Sequence, residues 1–339
     1  MKGIRILFFG LISLLFACSG PQQQPNAGKQ AEPQEKKSGE SELLIDYLAE
    51  SGDYVNSRKF PSMIKAPTVY EDLDGNNLYI DLRHPDYFRK GHIEGAVNVS
   101  FADIPEYFES GIVPFEYDKI ILICYGGQIS SYTTSLLRLM DYGNVYSMRW
   151  GMSAWNKAFA ENFWLKAVSS KYEDRLETNV NLAGKPGKLP ELHTGKLSGE
   201  EILIERYRQL FGESLKEFQL TADEVFANPD EYYIINFDRK DKYEAGHIPG
   251  AIRYKPNATL GILSAMETIP TDKEVVVYCG TGHNSSFATA YLRLLGYRVH
   301  TLEHGNNAFM HSKMLKEKAE LSWIPFTKKD INDYPFVKE

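Results

Sequence analysis

The hexapeptide GHIEGA at residues 91–96 returns as GHIPGA at residues 246–251, 155 positions later in a chain of 339 residues. In each copy one cysteine follows the opening glycine by 33 positions, Cys124 in CYGGQISS and Cys279 in CGTGHNSS. A period of that length marks a duplicated domain and not a solenoid unit. The chain holds only three cysteines, and two of them occupy equivalent places in a glycine-rich turn. Cysteine is therefore the residue that the function has to use.

Around each turn, short apolar runs alternate with helical patterns, the signature of strands joined by helical crossovers into a parallel sheet. In the first copy residues 78–82 (LYIDL) and 119–124 (KIILIC) are expected strands, residues 130–142 a helix and residues 145–148 a further strand. Residues 233–237, 274–279, 285–295 and 299–302 repeat that order in the second copy. The fold class is α/β, with two tandem domains, each a small parallel sheet flanked by helices. Each cysteine ends a buried strand and opens the turn into a helix, where open parallel sheets bind ligands.

The turn residues are Tyr125, Gly126, Gly127, Gln128, Ile129 and Ser130 in the first copy, and Gly280, Thr281, Gly282, His283, Asn284 and Ser285 in the second. Backbone N–H groups of such a turn have no strand or helix partner, and the first turn of the helix adds free donors and a partial positive charge. Together they form an anion cradle around the sulfur, which stabilises negative charge on it without help from side chains. Two readings weigh against a working thiol: a small inert core residue, and a disulfide between Cys124 and Cys279. Equivalent positions in duplicated domains are expected to face their own pockets, which disfavours the disulfide.

The third cysteine bears on location. Lys2 and Arg5 precede an apolar run from Ile6 to Phe16 that ends in Leu15-Phe16-Ala17-Cys18. The run is too short to span a bilayer and reads as a cleaved export signal over residues 1–17. Its ending resembles the lipobox of bacterial lipoproteins, which implies that Cys18 is acylated and anchors the protein to the cell envelope, on the periplasmic face of the outer membrane. Residues 18–41 carry too little apolar surface to offset ordering entropy and read as a disordered tether. Residues 42–180 and 199–339 are expected to be the two domains, with a glycine-, proline- and lysine-rich linker over 181–198. The formal charge is −7, and losing Lys2 and Arg5 with the signal makes it more negative. No basic patch points to nucleic acid, and the lipid anchor is the only membrane contact expected.

The stretch IDLRHPDYFRKGHIEGAVNVS, then IILICYGG, then VYSMRWGMSAW closely resembles the rhodanese domain, and the second copy matches through YEAGHIPGAI, VVVYCGTGHNSS and GYRVHTLEHGNNAF. The resemblance implies a tandem, thiosulfate sulfurtransferase-like protein in which Cys124 or Cys279 cycles through a persulfide. The donor would be a small sulfur-containing anion, and the acceptor a thiol, cyanide or a protein. Many rhodanese loops carry an arginine five residues after the cysteine, but this chain has Ile129 and Asn284 there, which puts thiosulfate affinity in doubt. Gln128 and His283 offer polar contact instead, and Arg149 is the candidate for the missing cation in the first pocket. Asp81 and Arg83 of the Asp-x-Arg strand become Asn236 and Asp238 in the second copy and read as scaffold. His92 and His247, each between glycine and isoleucine in a tight turn, read as hydrogen-bonded structural residues. No zinc-type spacing and no nucleotide fingerprint occurs, so no metal or cofactor is expected. Two readings of other classes stay open: a non-catalytic sulfur carrier or protein-recognition module, and a periplasmic thiol redox protein.

Overall fold

The computed structural model describes residues 39–261 and 265–339. The expected export signal, Cys18 and nearly all of the tether lie outside them. In the first half the strands are β1 (Met63–Ile64), β2 (Asn77–Asp81), β3 (Val97–Asn98), β4 (Lys119–Ile123) and β5 (Val145–Met148), and they form one parallel sheet ordered β1-β5-β4-β2-β3. The second half repeats it with β6 (Gln219–Leu220), β7 (Tyr232–Asn236), β8 (Ile252–Arg253), β9 (Glu274–Tyr278) and β10 (Val299–Leu302), ordered β6-β10-β9-β7-β8. The central strands are apolar almost without interruption because helices and loops cover both faces, as parallel sheets require. Ile120, Ile121, Leu122 and Ile123 are all fully buried, as are Val275, Val276 and Val277. The two-residue strands β1, β3, β6 and β8 show no periodicity in the sequence. Their pairing comes from the neighbouring strand.

Four helices of eleven to thirteen residues pack between the sheets: α1 (Glu40–Glu50), α2 (Gln128–Leu139), α3 (Gly199–Phe211) and α4 (His283–Leu294). Helices α2 and α4 are the repeated pair, and they lie against each other. Leu136 and Leu137 of α2 share one apolar core with Phe287 and Tyr291 of α4, and the Ser135 hydroxyl donates to the Phe287 carbonyl at 2.9 Å. Both helices start two residues before their expected positions, because Gly127 and Gly282 act as left-handed N-caps with φ of 91° and 79°.

Helix α1 begins within the expected tether. The Glu40 carboxylate accepts hydrogen bonds from the backbone N–H groups of Thr194 at 2.7 Å and Gly195 at 2.9 Å, and α1 packs against α3. The linker is likewise tied down, with Leu192 buried in the shared core.

The halves also exchange segments. Residues 169–181, which follow the first sheet in sequence, bond to the second: Ser169 N to Asn307 O at 2.9 Å, and a backbone bridge between Glu177 and His247. The C-terminal residues return the arrangement, with a bridge between Val337 and His92 and the Trp155 indole donating to Pro335 O at 2.7 Å. Each half is thus completed by chain that follows the other in sequence.

A shared apolar core and exchanged segments couple the halves, so a single cooperative unfolding step is expected. Three of the four tryptophans (Trp150, Trp155 and Trp164) lie in the first half. Urea titration read by tryptophan fluorescence and by far-ultraviolet circular dichroism should give coincident midpoints, and separated midpoints would overturn the prediction.

Candidate functional site

After β4 the backbone turns away from the sheet, and the residues following Cys124 curl around its sulfur. The Cys124 Sγ accepts hydrogen bonds from the N–H of Gly127 at 3.1 Å and of Ser130 at 3.4 Å, with the Ser130 hydroxyl also at 3.4 Å. Ser130 Oγ lies 2.9 Å from Ser147 Oγ on the neighbouring strand, which fixes the first turn of α2 to the sheet. The Cys124 carbonyl accepts from Met152 N at 2.9 Å. A Cβ on Gly151 would stand 2.2 Å from that carbonyl oxygen, so only glycine fits there.

The second loop repeats the plan less fully. Cys279 Sγ accepts from Ser285 N at 3.4 Å and reaches the Ser285 hydroxyl at 3.7 Å, and Gly280 N donates to the Asp238 carboxylate at 3.1 Å. Both thiols are free, and only 2% (Cys124) and 4% (Cys279) of each residue is exposed.

The two loops lock into each other. From the first loop, the Gln128 amide donates to Gly282 O at 3.3 Å and Leu302 O at 3.2 Å, and its carbonyl accepts from His304 N at 2.7 Å. From the second, His283 Nε2 lies 3.2 Å from the Trp150 N–H and 3.1 Å from Gly126 O, with Nδ1 2.9 Å from Thr281 Oγ1. Trp150 and His304 are themselves equivalent residues, and both adopt left-handed backbone, with φ of 65° and 60°. Non-glycine residues in that region are strained, and here the strain aims each N–H at the partner loop.

The family model for the rhodanese-like domain matches residues 65–158 and 221–312. The chain belongs to the rhodanese-like sulfurtransferase family. A thiosulfate sulfurtransferase, GlpE of Pseudoalteromonas translucida, is 36% identical over 100 residues, covering 29% of this chain and 91% of that protein. Among solved structures, thiosulfate sulfurtransferase of Pseudomonas aeruginosa is 18% identical over 77% of this chain and 46% of its own, with a TM-score of 0.27. The 3-mercaptopyruvate sulfotransferase SseA of Escherichia coli is 18% identical over 72% of this chain and 97% of its own, with a TM-score of 0.26.

Several expected roles change within this rhodanese-like frame. Gln128 and His283 do not face an incoming anion, because their side chains are buried in the interface between the loops. Burial, and then the charge of Arg149, pull His283 down to about 3, so it carries no positive charge near neutral pH. Ile129 is partly buried and packs against the shared apolar core, so a charged side chain at that position would displace apolar packing. The Arg149 guanidinium lies on the Trp150 ring at 4.9 Å, and burial holds it below the usual arginine range.

Asp81 and Arg83 form a buried pair, with Arg83 Nη2 2.6 Å from Asp81 Oδ2 and 2.7 Å from Gly91 O. The arginine also lies 5.7 Å from the Tyr125 ring centre, beside the first loop, with its charge paired to Asp81. In the counterpart Asp238, burial holds the carboxyl above the usual carboxylate range, against the pull of Lys242 at 3.6 Å. His92 and His247 play structural parts: each Nδ1 bonds the carbonyl four residues earlier, at 2.9 Å and 2.7 Å, and each ring stacks on the aromatic residue there.

Residues without any signal in the sequence complete the site. Trp164 donates to Gly126 O at 3.0 Å, and the Phe163 ring covers Gly126 so closely that a Cβ there would stand 2.2 Å from it. Beside Tyr125 opens a cavity of about 600 Å³, walled partly by Phe336 and Lys338 from the C-terminal end.

His283 also predicts a pH dependence. A histidine near 6.5 when unfolded and about 3 when folded leaves the extra proton on the unfolded chain between those values, so stability falls as pH drops below 6.5. His304, pulled to about 4 by burial, acts in the same direction. Each contributes a slope of up to about 1.4 kcal/mol per pH unit. Calorimetric melting between pH 7.5 and 5 should show the loss, and His283→Gln, which puts the first loop's own residue in its place, should remove about half of it and leave the share of His304.

Proposed function

We propose that the protein moves sulfane sulfur from thiosulfate or a similar donor to a thiophilic acceptor, and that Cys124 is the residue that carries it. The observation behind this reading is the convergence of two backbone N–H groups on Cys124 Sγ. At Cys279 a single backbone N–H, that of Ser285, reaches the sulfur among the described residues, and the Gly280 N–H is engaged by the Asp238 carboxyl. In the first half-reaction the Cys124 thiolate attacks the outer sulfur of thiosulfate. The new S–S bond forms as the old one breaks, and sulfite leaves with the electron pair. The loop N–H groups stabilise the charge as it passes to the persulfide. Cyanide, sulfite or a thiol then takes the terminal sulfur and returns the electron pair to Cys124. The reading includes export and lipid attachment at Cys18, which rest on residues 15–18 of the sequence.

A carrier or recognition role is the second reading. Phe163 and Trp164 covering the first loop, with no arginine in either loop, favour it. Intact mass after thiosulfate treatment separates the two. Cys124→Ser is expected to lose the added sulfur atom and to lower thiocyanate formation on the order of 10³-fold or more, whereas Cys279→Ser keeps most of both. Loading that follows Cys279 would overturn the assignment, and a parent that gains no sulfur from thiosulfate would leave the carrier reading.

A further inference from the structure

The cavity beside Tyr125 is larger than thiosulfate or cyanide needs. Its volume of about 600 Å³ lies within the range of sites for organic ligands. Aromatic rings form its walls: Tyr87, Tyr125, Phe159, Phe163 and Phe336. They are mutually braced, with Tyr87 edge-on to Tyr125 at 5.1 Å, Tyr125 stacked on Phe163 at 5.7 Å, and Phe159 edge-on to Phe336 at 4.9 Å. Such rings receive an apolar body.

The charges sort by depth. Arg83, beside Tyr125, is 2% exposed and committed to Asp81 and Gly91 O, so it offers no free donor for an oxyanion. Lys90 and Lys338 are exposed and also border the cavity, each over an aromatic ring, at 5.0 Å from Tyr87 and 5.7 Å from Phe336. Neither forms an ion pair among the described residues. The matching ligand carries no oxyanion at its inner end, is apolar along its length and is anionic at its outer end.

Resting on the reading of Cys124 as the sulfur carrier, we infer that the cavity binds the acceptor, an organic thiol with an apolar body and a carboxylate at its far end. Its thiolate attacks the terminal sulfur of the Cys124 persulfide. A bond forms between the two sulfurs, the Cys124 S–S bond breaks, and the electron pair returns to Cys124, leaving the acceptor as its own persulfide. No oxidant or reductant is consumed. The C-terminal end, crossing from the second half, supplies one wall and one lysine, so acceptor choice depends on the tandem arrangement.

Two measurements on the full chain test this. In Cys124→Ser, calorimetry with an arylacetate that lacks a thiol should detect binding, and acetate should not bind. Lys90→Ala with Lys338→Ala should weaken arylacetate binding roughly tenfold, at about two- to fivefold per exposed cation. Tyr87→Ala, half exposed and safe for folding, should weaken it several-fold. Absence of binding, or indifference to all three substitutions, overturns the inference whatever Cys124 does. In the parent, loaded with sulfur, mercaptophenylacetate should unload Cys124 with a half-saturating concentration at least about tenfold below that of mercaptoethanol, and the lysine pair should raise that value while leaving the maximal rate. Equal half-saturation for the two thiols overturns it. If Cys124 takes up no sulfur yet arylacetate binds as described, the ligand site stands and the sulfur-carrier reading fails alone.

Discussion

Two polar side chains cross between the cysteine loops to backbone groups that no strand or helix can reach: Gln128 bonds Gly282 O, Leu302 O and His304 N, and His283 Nε2 accepts from Trp150 N while Gly126 O receives the Trp164 indole. A buried amide or carbonyl left without such a partner costs about 1–3 kcal/mol, so the contact constrains everything near it. It fixes the approach of α2 to α4, holds Trp150 and His304 in left-handed backbone, and sets how much of each loop stays turned toward its own pocket. Two helix N-termini meet at this point, each with partial positive charge. A neutral amide and a histidine kept uncharged by burial suit that junction, where an added cation would be repelled.

The same junction bears on the fifth position of the first loop. Ile129 is partly buried against the core that the two sheets share, and a guanidinium there would give up apolar packing. The pseudo-symmetric pair differs in its charged residues: Asp81 is paired with Arg83 beside the first loop, whereas Asp238 is paired with Lys242 beside the second and also engages the Gly280 N–H.

The exchanged segments extend this dependence beyond the loops. Residues 169–181 complete the second half, and the C-terminal residues complete the first and wall the cavity beside Tyr125. The repeat has thus diverged into two domains that fold around one core, with the pocket of one built partly from chain that follows the other.

Taken alone, the sequence determined what is local or repeated. The strands β2, β4, β7 and β9 lie within a residue of their expected limits, and β5 and β10 match theirs, because continuous apolar runs between turn residues have one stable use in a parallel sheet. The place of each cysteine at a strand end and the structural parts of His92 and His247 follow from the same local pattern. Tertiary structure decided that Gln128 and His283 serve the interface and not an anion, and that Phe163, Trp164 and the C-terminal residues close the first site. The crossing contacts join residues 154 and 176 positions apart, as between Gln128 and Gly282 or His304. Periodicity reports which face of an element is buried. It carries no record of which distant surface buries it, and that pairing is where the chemistry of this protein was set.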